Sequence, residues 1–532
     1  MTGALRHPLL IAAPRATSAV LSLLAVLLGW ELLARALAGS YLLAGPVEVL
    51  AYLRDHAGLM SRALSVTLRE AMLGYLWGNL AGIALAALAL LVPRLERLVQ
   101  SLALVTFCLP LVATGPILRV LYGPGIGPQV TLAALAVYYT TFVPVLVGLR
   151  ATPAAWLDLV ASYGRGRGSE LVTIRAMASV PYLVTGLRIA APAAFLGAMV
   201  GEFTGAERGM GVLAIQAMRS LDVEATWALA TVASAVSIAA YLAVGALGRL
   251  LWSDRPPVIL SAVPQDGPDP AAHRRLGRAG LPLLTVLVVL ALWWGSMEAF
   301  GLNRFFARRP ADVWAFLVTS DAAAEHRAVL LHALGETLAF VLPGYLAGLG
   351  LGAVLAALFV LLPALARVAL PVAIALRSVP IVATAPLIVL GLGRGAAGTI
   401  TIVAVMIFFP TLIACLQGLR QAPGQVMDVF RSYATPPLRT LLLARVPAML
   451  PAFFASARMA VPAAVLAVTV AEWLATGTGI GNLMALTTST SDYNMLYASI
   501  AAVTLLSAAA YAGVGALERR VLAVYAPEQV RT

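Results

Sequence analysis

The chain has 532 residues, 61% of them hydrophobic and 11% charged, with a mean hydropathy of +0.92. A soluble domain carries roughly a quarter charged residues, so the composition excludes a soluble globular protein. The net charge of +12 comes without a basic stripe interleaved with aromatics, which argues against nucleic acid as a partner, and strict period-two alternation is absent, which argues against a membrane β-barrel.

After Arg6 and Arg15, an apolar run reaches Ala38. It is long for a secretory leader and has a counterpart in the second half, so it is read as a retained first helix over 17–37. Further helices are predicted over 66–92, 98–120, 129–149, 180–202 and 223–251. Apolar runs near the length needed to cross a bilayer must satisfy their backbone internally, which makes them spanning helices. Residues 252–280, rich in Pro, Asp and Arg, read as a polar linker.

From there the pattern repeats. At a shift of 270 residues, Thr67 meets Thr337, Gly74-Tyr75 meets Gly344-Tyr345, and Gly148-Leu149-Arg150 meets Gly418-Leu419-Arg420. Ser162-Tyr163 likewise meets Ser432-Tyr433, and Arg188 meets Arg458. Before Thr67 the shift is 264, as Trp30 meets Trp294, and a six-residue insertion near 318–328 makes up the difference. Matched Gly, Pro and charged positions over this length mark a true duplication. The expected fold is therefore all-α and polytopic. It has about twelve spanning helices in two six-helix repeats, 1–251 and 281–532. An even number of crossings makes the repeats parallel. Arg concentrates in 93–97, 150–180, 249–278, 420–445 and 519–531, which places both termini and the linker in the cytoplasm, with 301–327 as an exception.

All 36 basic residues are Arg. A phosphate-binding loop needs a Lys, so this chain cannot build one. Cys108 and Cys415 are not repeat-equivalent and read as buried thiols, and the five His show no ligand spacing, so no metal is expected.

The segment between the fourth and fifth helices is long in both halves. It carries short helical stretches, Trp156–Tyr163 before Gly164 and Gln425–Tyr433 before Pro436-Pro437. A short helix lying along the membrane suits docking in a partner's groove, and an acid near its start suits the helix dipole. Asp158, Leu159, Ser162, Tyr163 and Gly164 align with Asp428, Val429, Ser432, Tyr433 and Ala434.

These segments resemble the EAA loop of permease subunits of binding-protein-dependent ABC importers. Asp158 and Asp428 stand for the acid, Gly164 for the glycine, and Pro447 for the downstream proline. The departures are Leu159-Val160 and Val429-Phe430 for the alanines, Ala434 for the glycine, and Met177 for the first-half proline. Gly186-Leu187-Arg188 and the acid-aromatic-Gly-x-Gly segments resemble the nitrate/sulfonate/taurine branch. The resemblance implies two permease subunits fused in one chain, with 150–180 and 420–450 as ATPase-coupling loops. It implies two copies of an ATP-binding subunit that hold ATP and Mg, with no cofactor in this chain. It also implies an external substrate-binding protein, a bacterial inner-membrane location and a small anionic cargo.

Several repeated positions are pathway or gate candidates. Glu202 and Glu472 end the fifth helix of each half, just before Gly209-Met210-Gly211 and Gly479-Ile480-Gly481. Each acid either faces an outer gate or pins the glycine-rich turn by accepting its N–H groups. Arg188 and Arg458 either attract an anion in an inner vestibule or snorkel toward the interface. Pro110, Thr114 and Pro116, with Pro380, Thr384 and Pro386, are expected to break the third helix, which is tolerated where backbone faces a cavity or protein. The ridges Gly74, Gly78, Gly82 and Gly344, Gly348, Gly352 are expected to serve helix packing alone. A major-facilitator-like secondary transporter shares the six-plus-six parallel repeat. It places a basic loop between its second and third helices, however, where this chain has only Pro93–Arg97.

Overall fold

The structure, a computed structural model, describes residues 27–39, 43–152, 154–203, 205–220, 222–251, 280–366, 391–393 and 395–525, with single residues at 24, 369, 385 and 388. In the first half, α1 covers 27–36 and a short helix α2 (Pro46–Asp55) follows. Then come α3 (Ala57–Leu91), α4 (Glu96–Phe107), α5 (Leu111–Tyr122) and α6 (Gly127–Arg150). The loop helices α7 (Ala154–Ser162) and α8 (Arg167–Glu170) lead through a π-turn, Leu171–Arg175, into α9 (Ala176–Phe203). A short α10 (Met210–Arg219) and a long α11 (Val223–Leu251) complete the half.

The second half repeats this plan in register. It runs α12 (Gly280–Ala299), α13 (Pro310–Trp314), α14 (Ala323–Leu361), α15 (Ala396–Arg420), α16 (Gly424–Ser432) and α17 (Pro437–Thr440). The π-turn equivalent to Leu171–Arg175, Leu441–Arg445, leads into α18 (Val446–Ala471), followed by α19 (Gly479–Ser489) and α20 (Tyr493–Tyr525). Nine helices among the described residues are long and apolar enough to cross a membrane, or ten if the bent pair α4–α5 counts as one. Of the other two predicted spans, 17–37 is described only in its second half, as α1, and the one near 368–390 falls almost wholly outside the described residues.

Three boundaries differ from the sequence expectation. Helix α3 starts at Ala57, not 66. At 35 residues it is about 52 Å long, well over the ~30 Å of a hydrocarbon core, and its polar first turns project beyond the apolar run that marked it. The third helix is two pieces that meet at 96°. The segments after α9 and α18, expected to be loops, contain α10 and α19. These helices are too short to span, so a search for long apolar runs passes over them.

The repeated glycines let α3 and α6, and α14 and α15, touch backbone to backbone. A Cβ on Gly78 would stand 2.6 Å from the Ala134 carbonyl oxygen, and one on Gly82 would stand 2.5 Å from that of Tyr138. Gly348 and Gly352 meet the Ala404 and Phe408 carbonyl oxygens in the same way, at 2.9 and 2.7 Å. Lipid gives apolar side chains no reason to leave it, so close packing of small residues holds such layers together. One buried cluster runs through α3, α6 and α9 of the first half and α14, α15 and α18 of the second. The halves also interlock at their edges. Helix α12 packs on α4, and α5 packs on α18, α19 and α20. Tyr139 on α6 and Tyr511 on α20 lie side by side across this seam.

Candidate functional site

The two loop helices are built alike. Ser162 Oγ donates to the Leu159 carbonyl at 2.7 Å, and Ser432 Oγ to that of Val429 at 2.8 Å. Each helix ends on a residue in the left-handed region, Gly164 at φ +69° and Ala434 at φ +47°. The next N–H, of Arg165 or Thr435, reaches back to the Val160 or Phe430 carbonyl oxygen. This double turn-back satisfies helix-end carbonyls and normally selects glycine. Ala434 therefore holds a conformation that a Cβ disfavours, which means the loop shape is kept in the second half without its usual residue. Asp158 and Asp428 are exposed. Each is the fifth residue of its helix, and neither loop helix has an acid in its first turn, so the expected dipole role is not realised. Asp428 pairs with Arg431 at 3.1 Å. Around the acids, Trp156, Leu159, Val426 and Val429 are exposed, and Tyr163 and Tyr433 are 76% and 81% exposed. In the first half, Arg175 donates to the Leu149 carbonyl at 3.1 Å and lies 3.6 Å from Glu170, tying the loop to the end of α6.

At the opposite ends of α9 and α18, the repeated acids lie in the core. Glu202 is 1% exposed and Glu472 is 0% exposed. Glu202 accepts the Gly211 N–H at 2.5 Å and the Thr67 hydroxyl at 2.5 Å. Glu472 accepts the Gly481 N–H at 2.8 Å and the Thr337 hydroxyl at 3.0 Å. The threonine oxygens accept the N–H of Met210 and Ile480, each at 2.9 Å. Each acid thus clasps three helices and satisfies N–H groups that a helix start leaves without internal partners. The first glycine of each turn has a positive φ, +135° at Gly209 and +82° at Gly479, and a Cβ on either would sit 2.2 Å from the carboxyl. These are the contacts of a carboxylate that pins the glycine-rich turn. Sequence reasoning did not give a role to the threonines, nor to two further acids. Glu336 accepts the Gly479 N–H at 2.8 Å, and Glu70, 2% exposed, lies beside Glu202. Neither acid is repeated: Val66 and Phe340 stand at the matching positions.

The arginines of α9 and α18 have diverged. Arg458 lies 2.9 Å from Glu518 on α20, with both side chains nearly buried. Its guanidinium lies 5.9 Å from the Tyr511 ring centre. Arg188 stacks over Tyr241 at 4.5 Å, the matching tyrosine on α11.

Pro110 lies in the 96° bend, immediately before the first residue of α5. Thr114 donates to the Leu111 carbonyl at 2.9 Å, and Pro116 is buried within the helix. Because α5 touches α6 and α9 of its own half and α18, α19 and α20 of the other, these residues lie where the halves meet. Pro380, Thr384 and Pro386 lie outside the described residues. No group of three or more His, Cys, Asp or Glu suited to a metal occurs among the described residues.

Comparison with known proteins adds to this geometry. A profile of the family described as binding-protein-dependent transport system inner membrane component matches residues 78–253 and again 348–523. A probable ABC transporter permease protein of Haemophilus influenzae is 31% identical over 214 residues, which is 40% of this chain and 87% of that protein. The formylaminopyrimidine transport permease protein ThiX of Halalkalibacterium halodurans is 28% identical over 223 residues, 42% of this chain and 89% of its own length. The putative aliphatic sulfonates transport permease protein SsuC of Bacillus subtilis is 27% identical over 147 residues, 28% of this chain and 53% of its own. Each of the first two relatives corresponds to less than half of this chain.

Proposed function

The chain belongs to the family of binding-protein-dependent transport system inner membrane components, with the family's segment present twice, and from that we propose that this single polypeptide supplies both halves of the membrane pathway of an ATP-driven importer. Its two loops, 150–180 and 420–450, would seat one ATP-binding subunit each, and an external binding protein would deliver cargo at the opposite face. The observation that carries this reading is the pair of exposed helices α7 and α16. They recur at a 270-residue spacing, end in the same left-handed turn, and present Trp156, Leu159, Tyr163, Val426, Val429 and Tyr433 away from the core. Exposed aromatic and aliphatic groups on a short helix suit a groove in a partner. Because the chain has no Lys for a phosphate loop, the ATP chemistry is assigned to that partner. The loops are placed in the cytoplasm by their Arg content, and both termini with them.

The cargo is proposed to be a small anion, by analogy with the sulfonate permease among the relatives. Affinity purification from the native membrane is expected to bring down an ATP-binding protein. Uptake into vesicles should stop when ATP is withdrawn and continue when the proton gradient is collapsed. Uptake that follows the proton gradient instead would overturn the proposal in favour of a secondary transporter.

A further inference from the structure

The two repeat-equivalent arginines differ in one way that bears on anions. Arg458 has its counter-charge in Glu518, 2.9 Å away. The position matching Glu518 in the first half is Gly248, so Arg188 has no acid at that place. Among the described residues Arg188 makes no ion pair and no hydrogen bond. Its Nε is fully buried without a partner among the described residues, and its guanidinium lies over the ring of Tyr241. The space it occupies is built for it: a Cβ on Gly245 would stand 2.6 Å from Arg188 Nε. The residue sits within a membrane-spanning helix, where an unneutralised cation is retained only when something pairs with it.

We infer that Arg188 is an oxyanion-binding residue set between α9 and α11, and that the absence of an acid at Gly248 is what leaves its guanidinium free for a ligand. A planar guanidinium presents paired N–H donors that match carboxylate, sulfonate or phosphate oxygens. Stacking on Tyr241 orients the plane and leaves its edge for the anion. The oxyanion has two sources. One is a soluble anion, in which case the inference rests on the import reading for its role as cargo. The other is the headgroup of an anionic phospholipid.

The test uses the full chain in nanodiscs of pure phosphatidylcholine, with thermal unfolding followed as sodium sulfate is added, and again in nanodiscs containing phosphatidylglycerol. Wild type is expected to gain a few degrees from one of the two, because a ligand that binds only the folded state stabilises it. A gain from sulfate assigns the soluble anion, and a gain only from phosphatidylglycerol assigns the headgroup. Arg188→Gln should lose the gain. Gly248→Glu supplies the acid that the second half carries, and it should lose the gain with Arg188 still present. Gly248→Ala controls for crowding against Val184, which a Cβ at Gly248 would approach at 2.4 Å, and it should keep the gain. The inference is overturned if neither ligand stabilises wild type, or if Gly248→Glu and Gly248→Ala respond alike. These outcomes do not depend on ATP or uptake, so failure here leaves the import reading standing, and failure of import leaves this result standing.

Discussion

The glycines beside the buried acids can be ranked by what a methyl group would meet. At Gly479 both the backbone and the space forbid it: φ is +82° and the Glu472 carboxyl would be 2.2 Å away. At Gly477 φ is +73° but nothing lies within 4 Å. Gly477→Ala is therefore expected to destabilise by about 1 kcal/mol, the ordinary cost of a left-handed alanine, and Gly479→Ala by about 3 kcal/mol once the clasp is disrupted. Thermal unfolding in detergent measures both, and equal losses would contradict the clasp. The reverse change is expected at the end of α16. Ala434→Gly relieves a φ of +47° and should stabilise by roughly 1 kcal/mol, read in the same assay. Glu518→Gln leaves Arg458 nearly buried without its counter-charge and should destabilise by about 3 kcal/mol. At this scale the sequence revealed what was duplicated. Glu202 and Glu472 stood out because charge is rare in apolar runs and the Gly-x-Gly recurs beside each. Thr67 and Thr337 were visible as a matched pair, but a threonine in a helix carries no sign of a partner 135 residues away. Glu70 and Glu336, present in one half each, carried no repeat signal at all.

Among the elements, the glycine ridges make the sharpest prediction. A leucine at Gly78 would drive its Cβ into the Ala134 carbonyl 2.6 Å away and force α3 off α6. Overpacking of this kind costs about 1–3 kcal/mol or more. Gly58→Leu, on the same helix, has only the tip of the Arg62 side chain within 4 Å, at 3.5 Å, and should be tolerated. Yield of monodisperse protein after extraction separates the two. The sixth helix, α11, matches its sequence-predicted ends because polar residues bracket its apolar run. The third helix was expected to break at Pro110, and it does so because proline offers no N–H to continue the ladder. The size of the turn was not legible, since α5 packs against helices of both halves that lie far from it in sequence. Helices α10 and α19 were missed because a ten- or eleven-residue amphipathic helix is hidden beside spans twice as long. The loop helices were found, but they begin one or two residues earlier than expected, which leaves their acids outside the first turn.

For the whole molecule, the duplication explains why so much was legible. A shift of 270 residues aligns the π-turns Leu171–Arg175 and Leu441–Arg445 residue for residue. What the repeat could not show is where the halves have parted. The Tyr139–Tyr511 pairing and the Arg458–Glu518 pair have no counterparts, because Phe409 and Gly248 stand at the matching positions. The central claim is that α7 and α16 transmit force from separate ATP-binding subunits. The measurement that tests it most directly is substrate-stimulated ATP hydrolysis by the assembled complex carrying Asp158→Arg together with Asp428→Arg. Both residues are exposed, so the variant should insert and fold as wild type does. The account predicts that stimulation is lost in this folded double variant; stimulation equal to wild type would contradict it.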